Sequence, residues 1–425
     1  MLRVLYSSIL YLSVPLIFVR LYYRSLRAPA YRQRISERFG YFIPPTDYDP
    51  QKTTIWIHAV SVGETVAAQP LVNALQQSAP DSQILITCMT PTGSERVRTL
   101  FGSSVFHSYL PYDLPIAMSR FLRNTKPDLL IIMETELWPN LIHQCKRGGV
   151  KTLLANARLS EKSAAGYGKI SGLSNAMLKS IDAVAAQSKE DANRLEALGA
   201  ESEKIEVTGS LKFHVNNQAE PNSDQIFFDA IKSSNRLVIM AASTREGEEV
   251  KVLNAYREVQ DRNSSALLIL VPRHPERFDE VASLCEQTQL RTMRRSSPQR
   301  AIEDTQIIVG DSMGEMAAYY SVAHIAFVGG SLVDTGCQNV LEPAAVALPI
   351  VVGPSQYNFA QICNQLENAG GLRTVNNEQD LAVLLNTLVE DEQLRKHMGD
   401  AAKSVVESNQ QALPALLKII EKLSA

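Results

Sequence analysis

A chain of 425 residues is too long for one ordinary domain, and its 45% hydrophobic and 20% charged residues are the balance of two or three well-cored globular domains. A net charge of −3 excludes the strongly basic surface of a nucleic-acid binder. The cysteines, Cys88, Cys145, Cys285, Cys337 and Cys363, are odd in number and lack Cys-x-x-Cys spacing, which excludes a disulfide framework and a zinc site and points to a reducing compartment.

The first element is the uncharged run Val4–Val19. As a helix it is about 24 Å long, short of the roughly 30 Å hydrocarbon core of a bilayer. Leu21, Tyr22 and Tyr23 lengthen it if Arg20 snorkels. No small-residue cleavage site follows, so residues 1–23 are expected to form a retained membrane-anchor helix, spanning the bilayer or lying in its interface. Residues 24–53 form a basic segment. Arg20, Arg24, Arg27, Arg32, Arg34 and Arg38 are opposed between residues 20 and 45 by Glu37 alone. The positive-inside rule then places the body of the protein in the cytoplasm, with the arginines on anionic lipid head groups.

From residue 54 strands and helices alternate, as in a doubly wound parallel sheet. Apolar runs at 55–57, 84–86, 129–132, 152–154 and 183–185 read as strands buried on both faces. The first strand leads into His58-Ala59-Val60-Ser61-Val62-Gly63-Glu64 and a helix. A carboxylate at a helix start is stabilised as an anion, so Glu64 is expected to be ionised near neutral pH. Two roles stay open for it, a capping acid or a general base at the mouth of the sheet. If the strand through Met133 continues, Glu134 and Glu136 lie on opposite faces and only one looks outward. Arg158, with Lys162 nearby, is placed to meet phosphates or simply to sit at a solvated helix start.

The first α/β domain is expected over 54–215 and a polar linker over 216–235. A second alternating domain occupies 236–425, with runs at 237–240, 267–271, 307–309, 325–328 and 350–352. Two such domains imply a ligand cleft between them. Pro272-Arg273, Gly310 to Glu315, Gly329-Gly330-Ser331 and Asn339 to Pro343 each follow a strand or open a helix in the second block. Glycines there let backbone N–H groups approach a phosphate, an arginine can hold it, and a glutamate can accept two ribose hydroxyls. Together these loops predict a nucleotide site.

With Ser-Val-Gly-Glu (61–64), Met-Glu-Thr-Glu-Leu-Trp-Pro-Asn (133–140), Asn-Ala-Arg-Leu-Ser (156–160), Thr-Gly-Ser-Leu-Lys-Phe (208–213), Pro-Arg-His-Pro-Glu-Arg-Phe (272–278), Val-Gly-Gly-Ser (328–331) and Asn-x-Leu-Glu-Pro (339–343) in order, the chain closely resembles the 3-deoxy-D-manno-octulosonic acid (Kdo) transferases of Gram-negative bacteria. The resemblance implies a GT-B fold, two doubly wound Rossmann-like domains with an interdomain cleft. The activity it implies is inverting transfer of Kdo from CMP-Kdo to the lipid A precursor, lipid IVA, at the cytoplasmic face of the inner membrane, for the lipopolysaccharide inner core. Matched motif by motif, Glu64 is the expected proton acceptor, and Glu134 and Lys212 the expected stabilisers of the transition state. Pro272 and Arg273, Met313, Gly314 and Glu315, and Asn339, Val340, Leu341 and Glu342 are the expected CMP-binding residues. Where the family usually carries a histidine, this chain has Gln338, which removes a ring that can be charged.

The chemistry agrees with those roles. A sugar hydroxyl is a poor nucleophile that needs a base, and departing CMP needs cationic or N–H partners. Lys212 and Arg273 supply charge, so neither metal nor cofactor is expected; Asp47-Tyr48-Asp49 reads as a solvated turn. His107, His143 and His324 are expected to be structural, and Trp138 to pack; His58 is equally placed to pack or to support the site. The rival readings are a UDP-sugar GT-B transferase or epimerase, and a membrane-tethered nucleotide-binding scaffold.

Overall fold

The structure, a computed structural model, describes residues 2–214, 224–297 and 302–424. The chain divides into two compact units, Met1–His214 with Asn409–Ala425, and Val215–Ser408.

The first unit carries a seven-stranded parallel sheet: β1 Thr54–His58, β2 Gln83–Cys88, β3 Phe106–Tyr109, β4 Leu129–Met133, β5 Lys151–Ala157, β6 Ala183–Ala186 and β7 Ile205–Val207, in the order β3-β2-β1-β4-β5-β6-β7. Alternation along each strand divides the core in two. Ile55 and Ile57 of β1 join Ile84 and Ile86 of β2 on one face, while Trp56 and Leu85 point to the other, where Trp56 packs on Phe121 with ring centroids 5.0 Å apart. The order reverses between β1 and β4, so the loops after those two strands flank a topological switch point, the usual place for a ligand in such sheets.

The second unit repeats the plan with β8 Val238–Thr244, β9 Leu267–Pro272, β10 Thr292–Arg294, β11 Ile307–Val309, β12 Ile325–Val328, β13 Ile350–Val352 and β14 Leu372–Thr374, in the order β10-β11-β9-β8-β12-β13-β14. Ile239 and Ala241 face one cluster, Val238, Met240 and Ala242 the other. The switch point lies between β8 and β12.

Three expected boundaries change. The second domain does not run to residue 425. The last helix, Ala412–Ser424, returns to the first unit, where Leu413, Leu416, Ile419 and Ile420 pack with Ile55 and Ile57. The linker expected over 216–235 lies partly outside the described residues, and its described part is mostly the helix Gln225–Ser233, held by Phe227, Phe228 and Ile231. The single helix expected over 1–23 is two, Leu2–Leu12 and Val14–Arg27, meeting at 51°. Pro15 sits in the first turn of the second; it lacks an N–H and crowds the carbonyl four residues back, which breaks the helix at Ser13. No single described helix is long and apolar enough to cross a membrane, though the two helices of this bent pair together have the length and composition of a span.

The pair packs one mixed polar and apolar face on the first unit. Arg3, Tyr6, Ser7, Leu10, Ser13, Val14, Ile17, Leu21 and Ser25 are its buried or half-buried positions, spaced as one helical face. Arg3 Nη1 and Ser7 Oγ donate to Asn140 Oδ1 at 3.0 and 3.1 Å, and Phe18 stacks on Phe39. The opposite face is apolar and bare, with Leu12 80% and Leu16 68% exposed. The basic cluster is divided as well. Arg20, Arg24 and Arg27 are exposed, but Arg38 is buried over the Tyr109 ring, and Arg34 binds Glu37 at 2.6 Å and the His107 carbonyl. Arg34 and Arg38 therefore serve the body of the protein and are not free for lipid head groups.

Candidate active site

Glu64 is the third residue of the helix Val62–Ser78, whose N-cap is Ser61. Ser61 Oγ accepts the Glu64 N–H at 3.4 Å and donates to Glu64 Oε1 at 3.0 Å, while Glu64 Oε2 accepts the Val60 N–H at 2.7 Å. This is a capping box that reaches one residue further back than usual. The capping geometry does not keep the acid strong. Burial pushes the Glu64 pKa up from 4.5 to about 7; the Val60 N–H works against this, and the charges of Glu134 and Glu136 add to it. The expected anion at neutral pH is thus a carboxyl poised at its midpoint, because desolvation outweighs the helix start.

Glu134 follows the last residue of β4. Its φ is +57°, a left-handed conformation uncommon outside glycine, and its N–H donates to the Ala155 carbonyl at 3.0 Å. The strand therefore does not continue, and the expected opposite-face arrangement of Glu134 and Glu136 is lost: the turn lets both carboxylates act on Glu64. Lys212 Nζ stands 3.7 Å from Glu134 Oε1. The three residues that motif matching brings forward thus form one electrostatic group beside the first unit's switch point.

Asn156 was not singled out by the sequence as a site residue, yet it fixes Lys212. Asn156 is buried with φ +52°, and its Oδ1 accepts the Leu211 N–H at 3.0 Å, which holds the 3-10 turn Leu211–Phe213 bearing Lys212. An asparagine tolerates that backbone better than other non-glycine residues, and this was the available signal. Arg158 is exposed. His58 is fully buried with Nδ1 on Thr87, and burial lowers its pKa to about 4, so it packs as a neutral ring beside the turn. His107 bridges Ser94 and the Ile86 carbonyl, and His324 accepts the Val238 N–H.

In the second unit Pro272 ends β9, and the Arg273 N–H donates to the Thr244 carbonyl at 3.0 Å while the side chain is exposed. Arg273 Nε donates to Gln338 Oε1 at 3.3 Å. Asn339 Nδ2 donates to Glu342 Oε1 at 3.0 Å. Burial raises the Glu342 pKa, against the Asn339 amide and the Arg273 charge. Arg273, Gln338, Asn339 and Glu342 therefore stand together, whereas the side chains of Val340 and Leu341 are buried and leave only backbone for a ligand. Met313 is exposed and Gly314 has φ +81°. Glu315 is occupied: Arg295 Nη2 binds it at 2.7 Å, both side chains being 11% exposed.

The glycine loop departs most from expectation. The N–H groups of Gly330, Ser331 and Leu332 do not wait for a phosphate. They donate at 2.7, 3.0 and 2.8 Å to Glu248, fully buried, which also accepts the Arg245 N–H at 3.2 Å. A Cβ on Gly329 would meet the Ser243 carbonyl at 2.6 Å, so that glycine serves close approach of β12 to β8. The loop is a structural stitch across the switch point. Among the described residues no group of three His, Cys, Asp or Glu side chains gathers as a metal ion would require.

Two family models match the chain: residues 33–215 that of the 3-deoxy-D-manno-octulosonic-acid transferases (kdotransferase), and residues 223–405 that of the glycosyl transferases group 1. The 3-deoxy-D-manno-octulosonic acid transferase of Haemophilus influenzae is 42% identical over 420 residues, covering 99% of this chain and 98% of that one. Among solved structures, the UDP-GlcNAc 2-epimerase of Neisseria meningitidis bound to UDP-GlcNAc superposes with a TM-score of 0.58 at 13% identity, over 87% of this chain and 100% of that one. A glycosyltransferase of Rickettsia africae gives a TM-score of 0.52 at 15% identity, over 88% and 99%. The structural likenesses establish the two-domain GT-B type fold and no more, since an epimerase and a transferase share it.

Proposed function

The chain belongs to the 3-deoxy-D-manno-octulosonic acid (Kdo) transferase family, the premise from which we propose how it works. It is a glycosyltransferase that transfers Kdo in lipopolysaccharide biosynthesis, with CMP-Kdo as donor and a lipid as acceptor. The acceptor hydroxyl of the lipid A precursor attacks the anomeric carbon as the bond to the CMP oxygen breaks, with inversion, and Glu64 takes the hydroxyl proton. Lys212, set by Asn156 and Glu134, supplies positive charge to the transition state, and Glu134 balances charge developing on the sugar. Arg273, Asn339 and Glu342 hold the nucleotide, with backbone of the 313–315 and 339–342 loops; Arg158 meets acceptor phosphate. No metal or cofactor takes part.

The observation that carries this reading is the environment of Glu64. A carboxyl with pKa about 7, beside two other carboxylates, is matched to abstracting a proton at neutral pH. The membrane reading rests on the N-terminal pair, whose one face packs on the protein and whose opposite face is apolar and bare. This favours a pair lying in the interface at the inner membrane's cytoplasmic face, with Arg20, Arg24 and Arg27 at the anionic head groups. The test is CMP release from CMP-Kdo and lipid IVA across pH. The rate should fall below about pH 7, and that acid limb should vanish with Glu64→Gln. An unaltered profile in the variant would remove Glu64 from the chemistry.

A further inference from the structure

A recess in the first unit has one wall made by the N-terminal pair and the other by the body of the protein. Leu10 and Ile17, on either side of the break at Ser13, face Met89, Leu110, Leu114 and Trp138. Those four come from the loops after β2, β3 and β4, at the carboxyl end of the sheet. The lining is almost wholly apolar. Asp113 also borders it, but its carboxylate is taken by the Asn140 and Leu141 N–H groups at 2.9 and 2.7 Å. The recess adjoins the reactive turn through the backbone. The Met89 N–H donates to the Val60 carbonyl at 3.4 Å, and the Val60 N–H donates to Glu64 Oε2 at 2.7 Å.

We infer that this recess, about 50 Å³ in volume, takes the end of an acyl chain of the acceptor, so that the N-terminal pair is a wall of the acceptor site as well as a membrane contact. The inference rests on the lipid acceptor assigned above. Its chemical argument is continuity. The bare residues Leu12 and Leu16 flank the break at Ser13, just outside Leu10 and Ile17, so a chain drawn from the bilayer stays in apolar surroundings as the sugar reaches Glu64. The Asp113 carboxylate is already paired, the Trp138 indole N–H is buried without a partner, and the inward position of Leu10 and Ile17 keeps them from the lipid-facing side.

Full-length Leu10→Trp and Ile17→Trp fill the recess. The expected result is a roughly tenfold rise in KM for lipid IVA, with kcat and the KM for CMP-Kdo unchanged. With O,N-deacylated acceptor, variants and wild type should be equal. Sedimentation with phosphatidylglycerol–phosphatidylethanolamine vesicles should also be unchanged. Leu10→Ala, which enlarges the recess without the risk of overpacking, should shift preference toward longer acyl chains. An unchanged KM for lipid IVA in both tryptophan variants overturns the inference. So does an equal loss on the deacylated acceptor, or a loss of vesicle binding matching the loss of activity. Failure of the wild-type protein to release CMP with any acceptor would instead count against the function from which the inference starts.

Discussion

Two buried glutamates occupy corresponding places in the two sheets. Glu64 follows β1 and Glu248 follows β8, each in the first turn of the next helix and beside its unit's switch point. Glu248 accepts four backbone N–H groups, while Glu64 accepts one N–H and one hydroxyl and faces the charges of two further carboxylates. Burial raises both pKa values. What differs is the remaining lone-pair capacity. Four donors saturate Glu248 and make it a fastener between β8 and β12, whereas Glu64 keeps room to take a proton. Position in a fold therefore does not distinguish a structural acid from a reactive one; the donor count and the charges around it do.

The sharpest way to break the comparison is Glu64→Gln. Glutamine can still serve the capping box, so the melting temperature should change little. The single-turnover rate should fall roughly 10²–10⁴-fold with donor binding kept. A destabilised but fully active variant would make Glu64 another fastener. The pH dependences sharpen the point because their signs oppose. Glu64 has a folded pKa above its ordinary 4.5, so its contribution to stability is complete below that value and lost as pH rises through about 7. Activity is gained over the same window.

Glu248→Gln should give the converse. One oxygen is replaced by an NH2 that confronts two backbone N–H groups, at roughly 1–3 kcal/mol for each group left unsatisfied. A cost of about 2–5 kcal/mol should lower the melting temperature by roughly 2–4 °C per kcal/mol, with the chemical step on folded protein nearly unchanged. A drop in single-turnover rate without a change in melting would show that the Gly330–Leu332 loop serves the reaction directly.

How much of this was legible in the sequence follows the same physics. The inner strands announce themselves as continuous apolar runs because both their faces are buried. The strands absent from the sequence reading are β3, β7, β10 and β14, the four edges of the two sheets. Phe106-His107-Ser108-Tyr109, Ile205-Glu206-Val207 and Thr292-Met293-Arg294 mix polar side chains with apolar ones, since an edge strand is partly exposed. Glu64, Glu134 and Lys212 were brought forward together by the resemblance of their motifs to those of the Kdo transferases; the residues alone left Glu64 open between a cap and a base. The glycine loop misled because Gly-Gly after a strand fits a phosphate and a buried carboxylate equally well; only the position of Glu248, more than eighty residues earlier, decides between them.

Asn156→Gly addresses the positive side of the first unit. Glycine keeps the left-handed backbone at φ +52° and deletes the acceptor of the Leu211 N–H, so the turn bearing Lys212 loosens without strain. The net loss of about 1 kcal/mol should slow single turnover roughly fivefold. In a Lys212→Ala background the same change should have almost no further effect. Full additivity of the two substitutions would mean that Asn156 does not act through Lys212.

The smallest effect, and the closest test of donor count, is Ser61→Ala. Ser61 Oγ donates to Glu64 at 3.0 Å, a bond that favours the charged carboxylate and holds its pKa down. Removing it takes Glu64 one donor further from the condition of Glu248. Loss of the N-cap costs about 0.5–2 kcal/mol of stability, which sets the temperature at which rates can be compared. Below melting, the Glu64 pKa moves upward, so less of the base is ionised at pH 7 and the rate there falls about two- to threefold. At pH 9 the carboxyl is ionised with or without Ser61, and the rate should return to the wild-type value. A deficit of equal size at both pH values would mean that Ser61 positions the turn and does not tune the acid. The contrast between the two glutamates would then rest on the neighbouring carboxylates alone.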